Sequence, residues 1–186
     1  MNLPNKLTIL RLVFIPFYVF FLLTDFFTFS SVVALAFYAA ACLTDFFDGR
    51  IARSRNLITD FGKFADPLAD KILVMSSMIC FVYMGKLPVW VCIIILAREF
   101  AVSGFRLVVA GKGVVIAASK WGKYKTVFQM FMCIFMTLDI EGMVGEGLFL
   151  TVYNIVTIAV MYVALALTII SMIDYFYKNR KNFSIN

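Results

Sequence analysis

The chain has 186 residues, 63% of them hydrophobic and 15% charged, with a mean hydropathy of +0.95. A soluble domain carries roughly 45–50% apolar and about 25% charged residues, so this composition argues against a soluble globule and points to lipid as the solvent. Histidine is absent and the net charge is +6. Ser-His and Cys-His nucleophiles and His-ligated metals are thereby excluded, and an anionic membrane surface or a phosphorylated substrate suits the charge better than nucleic acid does.

Along the chain, Met1–Leu12 places Leu3, Leu7 and Leu10 at helical spacing opposite Asn5, Thr8 and Arg11. This pattern predicts a short amphipathic helix lying at the interface. Lys6 and Arg11 ahead of an apolar run imitate a signal peptide, but Leu22 to Phe27 is bulky where a cleavage site would be small. The run Arg11–Leu23 is therefore expected to be a retained first span. Further apolar stretches cover Ser31–Phe47, Pro67–Met84, Pro88–Ala110, Thr126–Leu138 and Leu148–Tyr177. The expected fold is all-α: a polytopic membrane protein of six transmembrane helices preceded by the interfacial helix. No repeat or linker divides it, so residues 1–186 are expected to form a single domain. Cys42, Cys80, Cys92 and Cys133 form no C-x-x-C pair and are expected to be packed or lipid-facing thiols. Tyr83, Trp90, Tyr175 and Tyr177, near span ends, are expected to be interfacial anchors.

Charge sets the orientation. With the N-terminus inside, all but Lys86 of the 17 basic residues fall on the inner side, and Lys86 is left outside with Asp25, Asp139, Glu141 and Glu146. Both termini are therefore expected in the cytoplasm.

The end of the second span reads Asp45-Phe46-Phe47-Asp48-Gly49-Arg50-Ile51-Ala52-Arg53. Asp45, Asp48, Gly49 and Ala52 share one helical face, where the small residues leave room beside the carboxylates or allow close helix packing. The third span opens with Gly62, Asp66 and Asp70 four residues apart, again on one face, with Thr59 as a candidate cap and Pro67 early in the helix. Four carboxylates facing each other repel unless cations neutralise them. Salt bridges to Arg50, Arg53, Lys63 or Lys71 are one way to achieve that. A divalent-metal cluster accounts better for the paired spacing, and an all-oxygen donor set selects hard ions such as Mg²⁺ or Mn²⁺.

The eight residues Asp45, Asp48, Gly49, Ala52, Arg53, Gly62, Asp66 and Asp70, at these spacings, resemble the signature of the CDP-alcohol phosphotransferase family. The family's six-span plan would cover the whole chain. Four carboxylates can hold two ions; the resemblance implies that Asp45, Asp48 and Asp66 are metal ligands, with Asp70 a ligand or near neighbour, and that Asp70 is the base for the acceptor hydroxyl. It implies that Gly49, Ala52, Arg53 and Gly62 shape the CDP site, joined by Asn5 and Thr8. A homodimer in a bacterial inner membrane, with its active site at the cytoplasmic face, is implied in the same way.

The acceptor must be read from other residues. Arg98 and Arg106 lie eight apart, near one face of the fourth span, and Lys123 and Lys125 follow the next loop. Such a cationic group near carboxylates suits a phosphorylated acceptor, although loop cations also bind anionic headgroups. Glu99 is expected to point away from Arg98, leaving Arg98 to face a cavity or another carboxylate. These segments resemble the members of the family that act on glycerol 3-phosphate. That resemblance implies transfer of a phosphatidyl group from CDP-diacylglycerol to sn-glycerol 3-phosphate, with Arg106, Lys123 and Lys125 on the acceptor phosphate and Arg98 in support. Serine, inositol, inositol phosphate or phosphatidylglycerol are the alternative acceptors. A transporter with an intramembrane carboxylate site is the rival of a different class, and the position of the aspartates near one face speaks against it.

Overall fold

A computed structural model describes residues 3–24, 26–54, 60–111 and 119–180; for residues 3, 4, 46–54, 60–64, 66, 67, 110 and 144 it describes the backbone alone. All regular structure among these residues is helical. The helices are α1 (Leu3–Leu23), α2 (Ser30–Ser54), α3 (Asp60–Tyr83), α4 (Val89–Gly111), α5 (Lys120–Thr137), α6 (Ile140–Val144) and α7 (Leu148–Asn179). The chain divides into two compact units: Met1–Lys86 with Cys133–Leu150, and Leu87–Met132 with Thr151–Asn186.

Two helices are long and apolar enough to cross a membrane, Asn5–Leu23 and Leu148–Asn179, and Ser30–Asp45 is a shorter apolar stretch. α3, α4 and α5 carry more charge within their apolar lengths, and those charges include candidate site residues. α6 was not foreseen in the sequence. It is a single turn whose first residues are capped by Asp139, which accepts from the Gly142 amide at 3.4 Å, and it ends at Gly145 with φ +74°. A left-handed residue at that position favours glycine.

The N-terminal segment differs from expectation. α1 runs unbroken from Leu3, so no separate helix precedes the first span among the described residues. Its amphipathicity is also reversed. The polar residues Asn5, Thr8 and Arg11 are buried, while Ile9 and Leu10 are exposed. An interfacial helix would turn its polar face to water. Here that face turns inward and the apolar face is left for lipid.

In the first unit α1 packs along α2 and α3. Phe14, Phe17 and Phe21, at three- and four-residue spacing on α1, surround Phe37 of α2 with centroids 5.8, 5.5 and 5.7 Å away. One turn deeper, Tyr18 lies against Tyr38 at 5.5 Å. Tyr18 is fully buried, and its hydroxyl meets Thr137 Oγ1 at 3.1 Å. Thr137 already donates its one proton to the Cys133 carbonyl, so Tyr18 donates to Thr137. This bond ties α1 to the last turn of α5, and Lys86 adds a second tie by donating to the Met136 carbonyl at 3.2 Å.

In the second unit the inner face of α7 carries Met161, Ala164, Leu165, Thr168, Ser171 and Tyr175. Thr168 and Ser171 donate to carbonyls one turn back, Ala164 and Thr168, so neither hydroxyl is left unsatisfied in an apolar setting. Phe105 of α4 packs edge-on against Tyr175 and Phe176, at 5.7 and 5.9 Å. Tyr175 is therefore a core residue and not the interfacial anchor expected, whereas Tyr83, Trp90 and Tyr177 are exposed. The cysteines are free, and all but Cys42 are buried.

Replacing Tyr18 by Phe removes the inter-helix hydrogen bond and leaves Thr137 satisfied by the Cys133 carbonyl. Unfolding in detergent should show a loss of about 1 kcal/mol. No loss would mean that the phenol ring alone supplies the contact.

Candidate active site

The first unit assembles its polar cluster from helical register. On α1, Asn5, Thr8 and Arg11 share the inward face that continues as Ile15, Tyr18 and Leu22. On α2 the buried residues Ala34, Tyr38 and Ala41 follow at intervals of four and three, and one further turn brings Asp45 onto that stripe. The two faces meet where Arg11 Nη1 lies 2.9 Å from Asp45 Oδ1. The Arg11 side chain is only 1% exposed, while that of Asp45 is 49% exposed. The cation is thus withdrawn from solvent, and the carboxylate it holds remains half open.

α3 carries Asp70, exposed, immediately after the fully buried Ala69. Cys42, one turn before Asp45, lies close enough to Asp70, Asp45 and Arg11 to interact electrostatically with all three. The carboxylates of α2 and α3 therefore converge on the same end of this unit. Asp48, Gly49, Ala52 and Arg53 on α2, and Gly62 and Asp66 on α3, have helical backbone, so the expected spacings are kept; their side chains lie outside the described residues. Thr59, the expected cap of α3, also lies outside, and Pro67 falls within the helix.

Among the described residues no three His, Cys, Asp or Glu side chains come together. Asp45 and Asp70 nevertheless fit a hard divalent cation. Both donors are carboxylate oxygens, both retain exposure, and both lie within electrostatic reach of Cys42 from neighbouring helices.

The second unit holds the basic residues, and their arrangement departs from expectation. On α4 the buried positions Val91, Ile95, Arg98, Val102 and Val109 form one stripe, so Arg98 faces inward. Its aliphatic part borders an apolar cleft of about 410 Å³ with Ile94 of α4 and Ile169, Met172 and Phe176 of α7. Contrary to the expectation that Glu99 points away, Arg98 Nη1 donates to Glu99 Oε1 at 2.9 Å. Both side chains are long enough to curl around the helix towards each other. The same carboxylate oxygen accepts from Lys125 Nζ of α5. Lys125 is only 3% exposed.

The four predicted cations therefore do not form one cluster. Arg98 and Lys125 are buried around Glu99, whereas Arg106 and Lys123 are exposed. The guanidinium of Arg106 lies 5.5 Å over the Tyr175 ring. Helical geometry explains the split. Eight residues overshoot two full turns by about 80°, and two residues rotate by about 200°, which separates Arg106 from Arg98 and Lys123 from Lys125. Glu99 is the residue that the sequence reading missed. Its signal was an acidic side chain beside an arginine on a largely apolar helix, a combination that calls for pairing.

Residues 1–170 match the family described as CDP-alcohol phosphatidyltransferase. A CDP-diacylglycerol--glycerol-3-phosphate 3-phosphatidyltransferase of Bacillus subtilis is 38% identical, covering 96% of this chain and 95% of its own length. A protein of Rickettsia felis with the same name is 39% identical over 98% of this chain and 97% of its own. A probable phosphatidylglycerophosphate synthase of Mycobacterium tuberculosis is 41% identical over 94% of this chain and 79% of its own. With one family description spanning the helices that carry both polar clusters, and relatives matched almost end to end, the chain belongs to the CDP-alcohol phosphatidyltransferase family.

Proposed function

We propose that this enzyme transfers the phosphatidyl group of CDP-diacylglycerol to the hydroxyl of sn-glycerol 3-phosphate, giving phosphatidylglycerophosphate and CMP. The observation that carries this reading is the likeness, over nearly the whole chain, to relatives named for that donor and acceptor. Phosphatidylglycerol and its derivatives would be the downstream lipids.

Asp45, Asp48, Asp66 and Asp70 would hold the metal, Mg²⁺ or Mn²⁺ and two ions in all, which when bound neutralises the diphosphate. Arg11 keeps the Asp45 carboxylate in place from the buried side. Asn5 and Thr8, on the same face of α1, lie about two turns and one turn before it, respectively, and would line the nucleotide site with Gly49, Ala52, Arg53 and Gly62. Asp70 takes the proton of the acceptor hydroxyl, which is a poor nucleophile until a positioned base removes it. The oxygen then joins the phosphatidyl phosphorus, the bond from that phosphorus to the bridging oxygen breaks, and CMP departs. Exposure of Asp70 suits this role, because the acceptor arrives from water. Arg106 and Lys123, the exposed cations, would meet the acceptor phosphate first, with Lys125 and Arg98 behind them.

The setting completes the proposal. α1 to α5 and α7 would be the six spans: the shortest, α5, has 18 residues, or about 27 Å at 1.5 Å per residue, close to the thickness of a hydrocarbon core. The distribution of basic residues supports cytoplasmic termini and a cytoplasmic active site, in the inner membrane of a bacterium, surrounded by membrane lipids. One family description covering residues 1–170 supports a single catalytic domain. A homodimer belongs to the reading, and nucleic acid has no part in it.

Purified protein in detergent with CDP-diacylglycerol and Mg²⁺ should release CMP when given glycerol 3-phosphate, and not when given serine or inositol. EDTA should abolish release, and Asp70→Asn should lower kcat by about 10²–10⁴-fold, the range for loss of a general base. Release with another acceptor alone would overturn the acceptor assignment and keep the family chemistry. Lys123→Gln should raise the KM for glycerol 3-phosphate more than that for the lipid donor. Equal effects on both would remove Lys123 from the acceptor site.

A further inference from the structure

The apolar cleft of the second unit takes no part in the proposed reaction. Its walls are Ile94 and the stem of Arg98 on α4, with Ile169, Met172, Ile173 and Phe176 on α7. Along α7 the lining runs from Thr168 to Tyr177. The Thr168 hydroxyl donates to the Ala164 carbonyl, so it asks nothing polar of an occupant. A volume of about 410 Å³ falls in the range of ligand sites and far exceeds the voids left between well-packed side chains. Ile169, Ile173 and Tyr177 are exposed, so the cleft is open along one side.

Direction and length narrow the occupant. Phe105, further along α4 than the cleft residues, packs on Tyr175 and Phe176, so α4 and α7 run side by side in the same sense. The end at Tyr177 is thus the C-terminal end of both helices, which on the six-span reading lies at the cytoplasmic surface. From Thr168 to Tyr177 the lining extends about 14 Å at 1.5 Å per residue, which matches the depth of one leaflet of a hydrocarbon core of roughly 30 Å. The cytoplasmic end carries a cation. Arg180, immediately beyond α7, has its guanidinium 4.9 Å over the Tyr177 ring. Holding a guanidinium over a ring occupies none of its N–H donors. Arg180 meets no carboxylate among the described residues, whereas Lys178 is paired with Asp174 at 2.6 Å.

We infer that the cleft seats one acyl chain of an anionic diacyl phospholipid of the cytoplasmic leaflet, with the lipid phosphate against Arg180. An apolar slot one leaflet deep suits an acyl chain. A guanidinium at its mouth suits a phosphate, which it can meet through two parallel N–H bonds. A zwitterionic lipid would bring its own cation to the same place and lose part of that attraction. CDP-diacylglycerol is also anionic, but its proposed nucleotide contacts lie on α1, α2 and α3, and none of them is among the described residues that line the cleft. The occupant is therefore a resident lipid and not the donor. The site presupposes that α4 and α7 are membrane spans, as in the proposed reading, and is independent of which alcohol accepts the phosphatidyl group.

The test is lipid retention by the full chain, stripped of lipid in detergent and titrated with phosphatidylglycerol or phosphatidylcholine of identical acyl chains, read by native mass spectrometry. Wild type should retain one phosphatidylglycerol and bind phosphatidylcholine about fivefold more weakly. Arg180→Gln should weaken phosphatidylglycerol about fivefold and erase the preference, which is the scale of one basic residue at an anionic membrane surface. Ile173→Trp, which fills the cleft from an exposed position, should abolish retention. Ile155→Trp, on an exposed part of α7 outside the cleft lining, should leave it unchanged. Should Ile173→Trp fail to fold, Ile169→Trp takes its place with the same expected loss. Equal affinity for the two lipids, retention unchanged by the cleft-filling variant, or no retained lipid in wild type would overturn the site. Displacement of phosphatidylglycerol by CDP-diacylglycerol, one for one, would assign the cleft to the donor and overturn a resident lipid. A cleft-filling variant that turns a dimer into a monomer without losing lipid would make the cleft a contact between copies. No turnover is measured, so failure of the acceptor assignment leaves these outcomes intact. A chain released from membranes by alkaline carbonate without detergent would overturn the span reading, and this site with it.

Discussion

A charge on a helix that crosses lipid must meet a counter-charge, because the surrounding phase offers it neither water nor ions. On the proposed six-span reading, the two ion clusters of this protein answer that constraint. Arg11 is withdrawn from solvent and meets Asp45, and Arg98 and Lys125 are withdrawn and meet Glu99. Each pairing joins separate helices: α1 to α2 in the first unit, α4 to α5 in the second. The polar contacts thus act as registry marks on helices whose remaining surfaces are largely Phe, Leu, Ile and Val and could slide past each other at little cost. A specific polar contact that sets register in an otherwise permissive apolar interface is a recurrent use of buried charge.

The same constraint explains why the chemistry sits where it does. The helices interrupted by charge are those that carry the aspartates and the basic residues, whereas the uninterrupted ones, α1 beyond Arg11 and most of α7, present apolar outer faces such as Phe17, Phe20, Ile155 and Ile158. α1 serves both purposes. Its first turns contribute a buried polar face to the site, and its later turns contribute the aromatic packing around Phe37 that holds α2 in place. Tyr18 and its bond to Thr137 lie within the second of these regions, so the packing that stabilises the first unit also fixes the position of Arg11 two turns earlier.

Two partial clusters of opposite character correspond to a reaction with two demands. A diphosphate must be neutralised and a hydroxyl deprotonated, which requires carboxylates and the cation they hold. An anionic acceptor must be drawn from water, which requires fixed positive charge. Asp45 and Asp70, proposed for the first demand, keep solvent exposure, and so do Arg106 and Lys123, proposed for the second. The buried members of each set, Arg11 on one side and Lys125 with Arg98 on the other, are held by carboxylates and can act without moving.

The helical class, the existence of each long helix, the aspartate pairs and the family were legible in the linear sequence. They depend on composition, on runs of apolar residues and on spacing within single helices, all of which are local properties. The faces those helices present to one another were not. Asn5, Thr8 and Arg11 read as the water-facing side of an interfacial helix, yet they are the buried side of α1, because the partner that makes burial favourable, Asp45, lies 34 residues further along the chain. Glu99 read as pointing away from Arg98, yet it joins Arg98 to Lys125, a contact across 26 residues that only the packing of α4 and α5 creates. Spacing along one helix decides which side chains share a face. Which neighbouring helix that face meets, and hence whether a charge ends in water, in lipid or against its opposite, is a property of the tertiary structure alone.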